Sequence, residues 1–309
     1  MKVLIELPTW LGDSVMTTPA ISNIVNEFCD IEITLVGSPV SVESLKNNPN
    51  VVKSFVLNKT FTSLFKVLKN LDEYDFFISF RGSLRSIFFK FFISAGKKFN
   101  FNKRKYSSGH QVEKYNNFIN DSLGLKAIAG KLHLHNVSKM SFKNNNKLLG
   151  INPGATYGSS KRWYPKEFAK VAIELSSEYD IVIFGGPQEI DIANDIENYL
   201  ILNGVNNFQN LSGKTKINEL ISKISILDLL VTGDSGPMHI AAAFQVPTVA
   251  VFGPTEVNDT CQWMNSKSSI VKKELDCQPC MKRKCPLGHH NCMALIKAKD
   301  VIESIKLIS

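Results

Sequence analysis

The sequence predicts an α/β protein built from two doubly wound domains, each a parallel sheet with helices on both faces. Three observations carry this. Short apolar, β-branched runs alternate with stretches of helical spacing, the rhythm of βαβ units. That rhythm breaks at residues 142–147 (FKNNNK), an Asn/Lys run of linker character, and then restarts. The 309 residues are enough for two domains of ordinary size.

Taken in order, residues 3–7 (VLIEL) read as a first buried strand, residues 8–12 as a loop and residues 14–28 as a helix. Residues 31–37 (IEITLVG) alternate as a second strand, and residues 51–57 form a third. Phe61, Leu64, Phe65 and Leu68 recur at helical spacing, and residues 74–80 are a further strand. Phe88, Phe89, Phe91 and Phe92 read as core, with a membrane-touching face as the other option. After the linker come strands at 148–152, 181–184, 229–231 and 248–252. Helices fall at 165–178, 188–202, 216–226 and 237–244, and a last one at 293–308. The domains are therefore drawn at 1–145 and 148–292, followed by a C-terminal helix, 293–309, that can pack back on the first domain. The two halves show no internal sequence repeat. Two doubly wound sheets place a ligand in a deep cleft between the domains, outside the carboxyl ends of the strands.

Bulk composition narrows the class. Hydrophobic residues make up 44% and charged residues 21%, the balance of a folded protein rather than a disordered one. Lys and Arg outnumber Asp and Glu by 36 to 28, giving +8, which favours anionic partners. The opening residues lack the apolar core of a signal peptide, and no run reaches the length that spans a bilayer. A cytoplasmic location follows as the expectation, and there six cysteines point to thiols or metal rather than disulfides.

Four loops carry chemistry. Residues 7–14 (LPTWLGDS) follow the first strand, so Gly12 permits a close approach and Asp13 falls in the first turn of a helix. The residue pattern leaves Asp13 as either a helix cap or a reacting carboxylate. Residues 152–165 (NPGATYGSSKRWYP) join small residues, Thr156 among them, to Lys161 and Arg162 ahead of a helix, a setting suited to a diphosphate. The ending of a Walker A loop is missing. Residues 231–239 (VTGDSGPMH) again end a strand and begin a helix. There the N–H groups of Ser235, Gly236 and Met238 are expected to face an anion, with His239 close by. Finally, Cys277, Cys280, Cys285 and Cys292, with His289 and His290 among them, have the spacing C-x2-C-x4-C-x6-C. That grouping suits zinc, an iron–sulfur cluster or reduced thiols, in a loop made basic by Lys282, Arg283 and Lys284. A nucleic-acid-binding protein with a cysteine metal site is the rival reading. The cations lie at strand ends, however, which suits small anions better.

Together the motifs resemble the lipopolysaccharide heptosyltransferases, glycosyltransferase family 9. The resemblance rests on the 7–13 loop, Pro153-Gly154-Ala155 with Lys161-Arg162-Trp163, residues 233–239 (GDSGPMH), and Phe252-Gly253-Pro254-Thr255. The stretch from Cys277 to Met293 is similar to the branch that adds the second inner-core heptose, rather than the first or some other sugar. The resemblance implies a GT-B arrangement of two Rossmann-like domains. It implies an ADP-heptose donor in the C-terminal domain and a lipid A-linked Kdo/heptose acceptor at the N-terminal one. It also implies an inverting transfer with no catalytic cofactor, at an anionic membrane surface and without nucleic acid. Carried over by position, Asp13 is the general base and Lys161 the cation on the diphosphate. Asp234, Ser235, Gly236 and His239 hold the donor phosphates and heptose. Glu189 meets the ribose, and Gly213 and Thr215 lie by the adenine. Trp10, Gly12, Arg81, Ser83 and Arg85 are the acceptor-side candidates. Lys97, Lys98, Lys103, Arg104 and Lys105 add to that basic face.

Overall fold

The computed structural model describes residues 1–58, 60–135 and 146–308. The linker at 142–147 lies outside the described residues apart from its last two, and Lys147 already opens a strand. The chain divides into two compact units, residues 1–137 and 138–309.

The first unit is a five-stranded sheet ordered β3-β2-β1-β4-β5. Its strands are β1 (Lys2–Glu6), β2 (Glu32–Gly37), β3 (Val51–Val56), β4 (Tyr74–Ser79) and β5 (Ala95–Asn100), all parallel. Its helices are α1 (Leu11–Met16), α2 (Thr18–Glu27), α3 (Pro39–Leu45), α4 (Phe61–Leu68), α5 (Leu84–Phe92) and α6 (Gln111–Leu123). Val3, Leu4 and Ile5 are fully buried because the central strand is covered on both faces. The order reverses between β1 and β4, so the loops after these two strands flank the topological switch point, where doubly wound sheets bind ligands.

Two expectations are corrected in this unit. The helix expected over residues 14–28 is two helices. Pro19 lacks an N–H, and the hydroxyls of Thr17 and Thr18 bond back to the carbonyls of Ser14 and Val15 at 2.7 Å each, so the chain bends between α1 and α2. Of the four phenylalanines on α5, only Phe89 enters the core; Phe88, Phe91 and Phe92 are exposed. One narrow face of a nine-residue helix fills the space over the sheet, and the rest turns outward.

The second unit is a six-stranded sheet ordered β11-β10-β9-β6-β7-β8. Its strands are β6 (Lys147–Asn152), β7 (Tyr179–Ile183), β8 (Phe208–Asn210), β9 (Leu229–Gly233), β10 (Thr248–Val251) and β11 (Ser268–Val271), again all parallel. Its helices are α7 (Pro165–Leu175), α8 (Ile190–Leu202), α9 (Ile217–Ile224), α10 (Gly236–Ala243), α11 (Val257–Thr260), α12 (Asn291–Ala294) and α13 (Ala298–Lys306). Here the order reverses between β6 and β9, and the loops after them are the two anion-suited loops of the sequence. The C-terminal helix is part of the second unit. Ile296, Val301 and Ile305 belong to the core of the second unit, and α13 packs on α7, β10 and β11. Its apolar stripe finds the exposed flank of its own sheet first. Among the described residues no helix is long and apolar enough to cross a membrane.

Candidate functional site

In the second unit the strand-end loops interlock around a buried ion pair. Asn152 and Thr232 are register partners on β6 and β9. The Asn152 amide donates to Thr232 Oγ1 at 3.2 Å and to Ser235 Oγ at 3.1 Å, tying the two loops together at their roots. Beyond it, residues Ser159–Lys161 form a 3-10 turn that delivers Lys161 to Asp234, and the two side chains pair while almost wholly buried. Thr255, in the loop after β10, donates to the same Asp234 oxygen at 2.6 Å. Asp234 thus anchors Lys161 instead of facing outward. The sequence reading passed over Thr255, although it sits in the Phe252–Thr255 motif after a strand, as the other loop residues do.

The Lys161 ammonium also lies 4.8 Å from the centroid of the Tyr157 ring, and the Arg283 guanidinium lies 5.6 Å from it. Arg283 comes from the cysteine loop, which is clamped onto the Lys161 loop by main-chain contacts. Tyr157 OH donates to Met281 O at 2.7 Å, Ser160 Oγ to Lys282 O at 2.5 Å and Ser160 N to Arg283 O at 3.2 Å. Gly158 permits this, since a Cβ there would stand 2.2 Å from the Arg283 carbonyl oxygen. The basic cysteine loop and the small-residue loop therefore form one positively charged surface.

At the start of α10, Pro237 has no N–H, and Met238 N donates to Ser235 O at 3.1 Å, so Met238 does not face an anion as expected. Ser235 and Gly236 remain, with no intramolecular acceptor among the described residues, as the first turn of a helix dictates. His239 is buried in the same turn.

A second cluster forms at the end of β7. The buried Glu189 carboxylate accepts from Gly186 N at 2.7 Å and lies so close to Gly154 that a Cβ there would stand 2.0–2.3 Å from its carboxyl atoms. Gly213, at φ +69°, donates to Gly185 O at 2.8 Å and leans on Ile190. Gly154, Glu189 and Gly213 are thereby brought together, with Thr215 two residues on. Thr156 is exposed on the rim.

In the first unit, Trp10 caps α1 and is half exposed, so Asp13 is not the cap but the third helical residue. Asp13 is partly buried, and its charge helps burial to raise the Tyr115 pKa well above the ordinary tyrosine value. Ser14 and Ser41 hydroxyls both donate to Pro8 O and hold this loop down. On the other side of the switch point, Glu6 is buried and accepts from Ser79 at 2.6 Å and from Ser86, with Arg81 at 3.6 Å. Burial raises the Glu6 pKa, and the two serine bonds and Arg81 work against that rise. Ser83 caps α5, and Arg85 donates to the carbonyls of Asn58 and Thr60. Arg81, Ser83 and Arg85 are thus built into the wall of this loop cluster.

The four cysteines of residues 277–292, with His289 and His290, line one small cavity. Burial, and then the nearby Cys285, Cys277 and Cys280, push the Cys292 pKa up to about 11. The backbone N–H of His290, helped by those of Leu287, Gly288 and His289, lowers that of Cys285. Among the described residues no three His, Cys, Asp or Glu side chains stand in a metal-holding group.

Two parallel-sheet domains, with basic and small-residue loops at the switch point of the second, have the GT-B fold of a glycosyltransferase. Residues 61–291 match glycosyltransferase family 9 (heptosyltransferase), and the chain belongs to that family. It is 41% identical to lipooligosaccharide heptosyltransferase 2 of Campylobacter jejuni subsp. jejuni serotype O:2, covering 99% of this chain and 98% of that protein. Its fold is similar to the solved E. coli ADP-heptose lps heptosyltransferase II, at a TM-score of 0.81 and 20% identity over 100% of this chain and 98% of that one. It is likewise similar to an E. coli heptosyltransferase solved with ADP, at a TM-score of 0.82 and 16% identity over 100% of both chains.

Proposed function

We propose that this glycosyltransferase moves L-glycero-D-manno-heptose from ADP-heptose onto the heptosyl-Kdo inner core of lipopolysaccharide or lipooligosaccharide, with inversion. It works in the cytoplasm, peripherally at the inner face of the inner membrane. The observation that carries the donor side is the convergence of three strand-end loops on the buried Lys161–Asp234–Thr255 cluster. A diphosphate leaving group gathers charge as its bond to heptose breaks, and a pre-oriented ammonium beside open helix N–H groups stabilises that charge at no cost of reorganisation. Asp234 holds Lys161 in place, Ser235 and Gly236 meet phosphate oxygens, and His239 completes the loop. Glu189 takes the ribose hydroxyls, with Gly213 and Thr215 by the adenine and Thr156 on the rim.

On the acceptor side Asp13 removes the proton from the attacking hydroxyl, help typically worth about 10²–10⁴-fold. It stands in the first turn of α1, the end of the helix that carries partial positive charge. Trp10 and Gly12 shape its surroundings, and Arg81, Ser83 and Arg85 border the acceptor. The likeness to a heptosyltransferase 2 over the whole chain supports the second heptose as the one added. The deciding experiment is a product assay with ADP-heptose and acceptors carrying either no core heptose or one. Transfer only to the one-heptose acceptor is expected. Transfer only to the heptose-free acceptor would make it the enzyme for the first heptose, and no transfer to either would refute the reading.

A structural zinc or iron at Cys277, Cys280, Cys285 and Cys292 is a second element of this reading, favoured by the four thiols lining one cavity. Binding would draw together thiols the fold already gathers and would stiffen the loop clamped on Lys161. Elemental analysis of the purified protein is expected to find one metal equivalent; a metal-free, fully active protein would remove it.

A further inference from the structure

The outward face of α5 is apolar where a surface helix is ordinarily polar. Leu84, Ile87, Phe88 and Phe91 follow the i, i+3, i+4, i+7 spacing of a single stripe, and that stripe points away from the core. Leu84 is 86% exposed and Phe91 82%. Phe92 joins the patch to α4, its ring 4.9 Å from Phe88 and 6.3 Å from the half-exposed Phe65. An apolar face this continuous marks a surface that something covers.

The charge around it identifies the occupant. Residues 81–112 hold eight Lys or Arg and no Asp or Glu, of which Arg81 pairs with Glu6 and Lys105 with Asp121. Beside the patch, Lys66 follows Phe65 on α4 and Lys69 caps that helix, and Lys98 reaches to the carbonyl of Lys90 on α5 at 3.3 Å. Aromatic and aliphatic groups with lysines at their rim fit the interface of an anionic bilayer. Rings enter the acyl boundary there, and lysines meet phosphate headgroups. A second copy of the chain would bring the same cations against these.

We propose that α5, with the adjoining end of α4, is the element by which this protein seats itself on an anionic lipid surface. The inference rests on the reading of the acceptor as lipid-linked, and it names the face that meets the lipid. Leu84 and Phe91 insert, and the lysines hold the headgroups.

The test is flotation of the full chain with vesicles of phosphatidylcholine alone or mixed with phosphatidylglycerol, at low and high salt. The expected result is binding to the mixed vesicles, weaker binding to the neutral ones, and release by salt. The double variant Leu84→Asp, Phe91→Asp should bind at least about tenfold more weakly. It should keep the wild-type melting temperature and ADP affinity, because both side chains are exposed and outside the donor loops. Three results would overturn the proposal: no binding of the wild type to mixed vesicles, equal binding by the variant, or a wild-type dimer that the variant dissolves while neither binds lipid. Flotation uses no reaction, so a failed transfer assay with intact lipid binding condemns only the transferase reading. Intact transfer without lipid binding condemns only this one.

Discussion

The loops at the two switch points are built on different plans. Those of the second unit are crossed by charged and amide contacts between distant strands: Lys161 to Asp234, Thr255 to Asp234, Asn152 to Ser235, and Glu189 against Gly154. Those of the first unit are held from beneath by hydroxyls on carbonyls and on one buried carboxylate, Glu6. Trp10 is left half exposed above them, and α5 turns an apolar, cation-rimmed face outward. The difference is the one that the ligands proposed for each would require. A nucleotide diphosphate is small, fixed in shape and densely charged, so a preformed set of partners costs nothing to reorganise. A lipid-linked oligosaccharide is large and remains in its membrane, so the surface that receives it stays open.

The comparison breaks most sharply at Asp13. Asp13→Ala is expected to lower kcat by about 10²–10⁴-fold, leaving ADP affinity by calorimetry near the wild-type value. Near-normal turnover would remove it from the chemistry and leave the first unit with binding alone. Lys161→Ala should weaken ADP binding by about 10–100-fold, the worth of a charged hydrogen bond. It should also destabilise the fold by about 3–5 kcal/mol, since Asp234 stays buried without its cation. Unchanged ADP affinity in a folded Lys161→Ala protein would contradict the diphosphate role.

The smallest effect concerns Glu6. Burial holds its folded pKa above the ordinary 4.5, so the folded chain binds this proton more tightly than the unfolded one. Its stabilising contribution is then fullest below pH 4.5 and is lost as pH rises through the folded pKa. Glu6→Gln should therefore compare better with the wild type at neutral pH than at acid pH. Thermal melts at both pH values check this, and a pH-independent difference would refute it.

Much of this was legible in the sequence, for identifiable reasons. Every central strand reads as an apolar run because both its faces are buried. Less legible are β5, β8 and β11, which are all edge strands. An edge can be short and polar, as in Ala95–Asn100 with its two lysines, and such residues look like loop. The strand-end loops were legible because a strand–loop–helix sequence puts small and charged residues at a strand's carboxyl end. Their internal wiring was hidden, since Asp234, the partner of Lys161, is 73 positions further along the chain, and Thr255, which bonds the same carboxylate, is 94.

The aromatic run shows the same division. Local composition fixed that Phe88, Phe89, Phe91 and Phe92 lie on a helix, but helical spacing cannot say which side of it faces the sheet. The amino-acid order by itself determined the two α/β units, the loops at their strand ends and the family. Only the tertiary structure decided that Asp234 restrains Lys161, that α13 completes the second core, and that α5 carries its apolar stripe outward. Strand and helix periodicities are local and written along the chain. Pairings between loops, and the choice of which helix face is covered, depend on what the rest of the fold brings alongside.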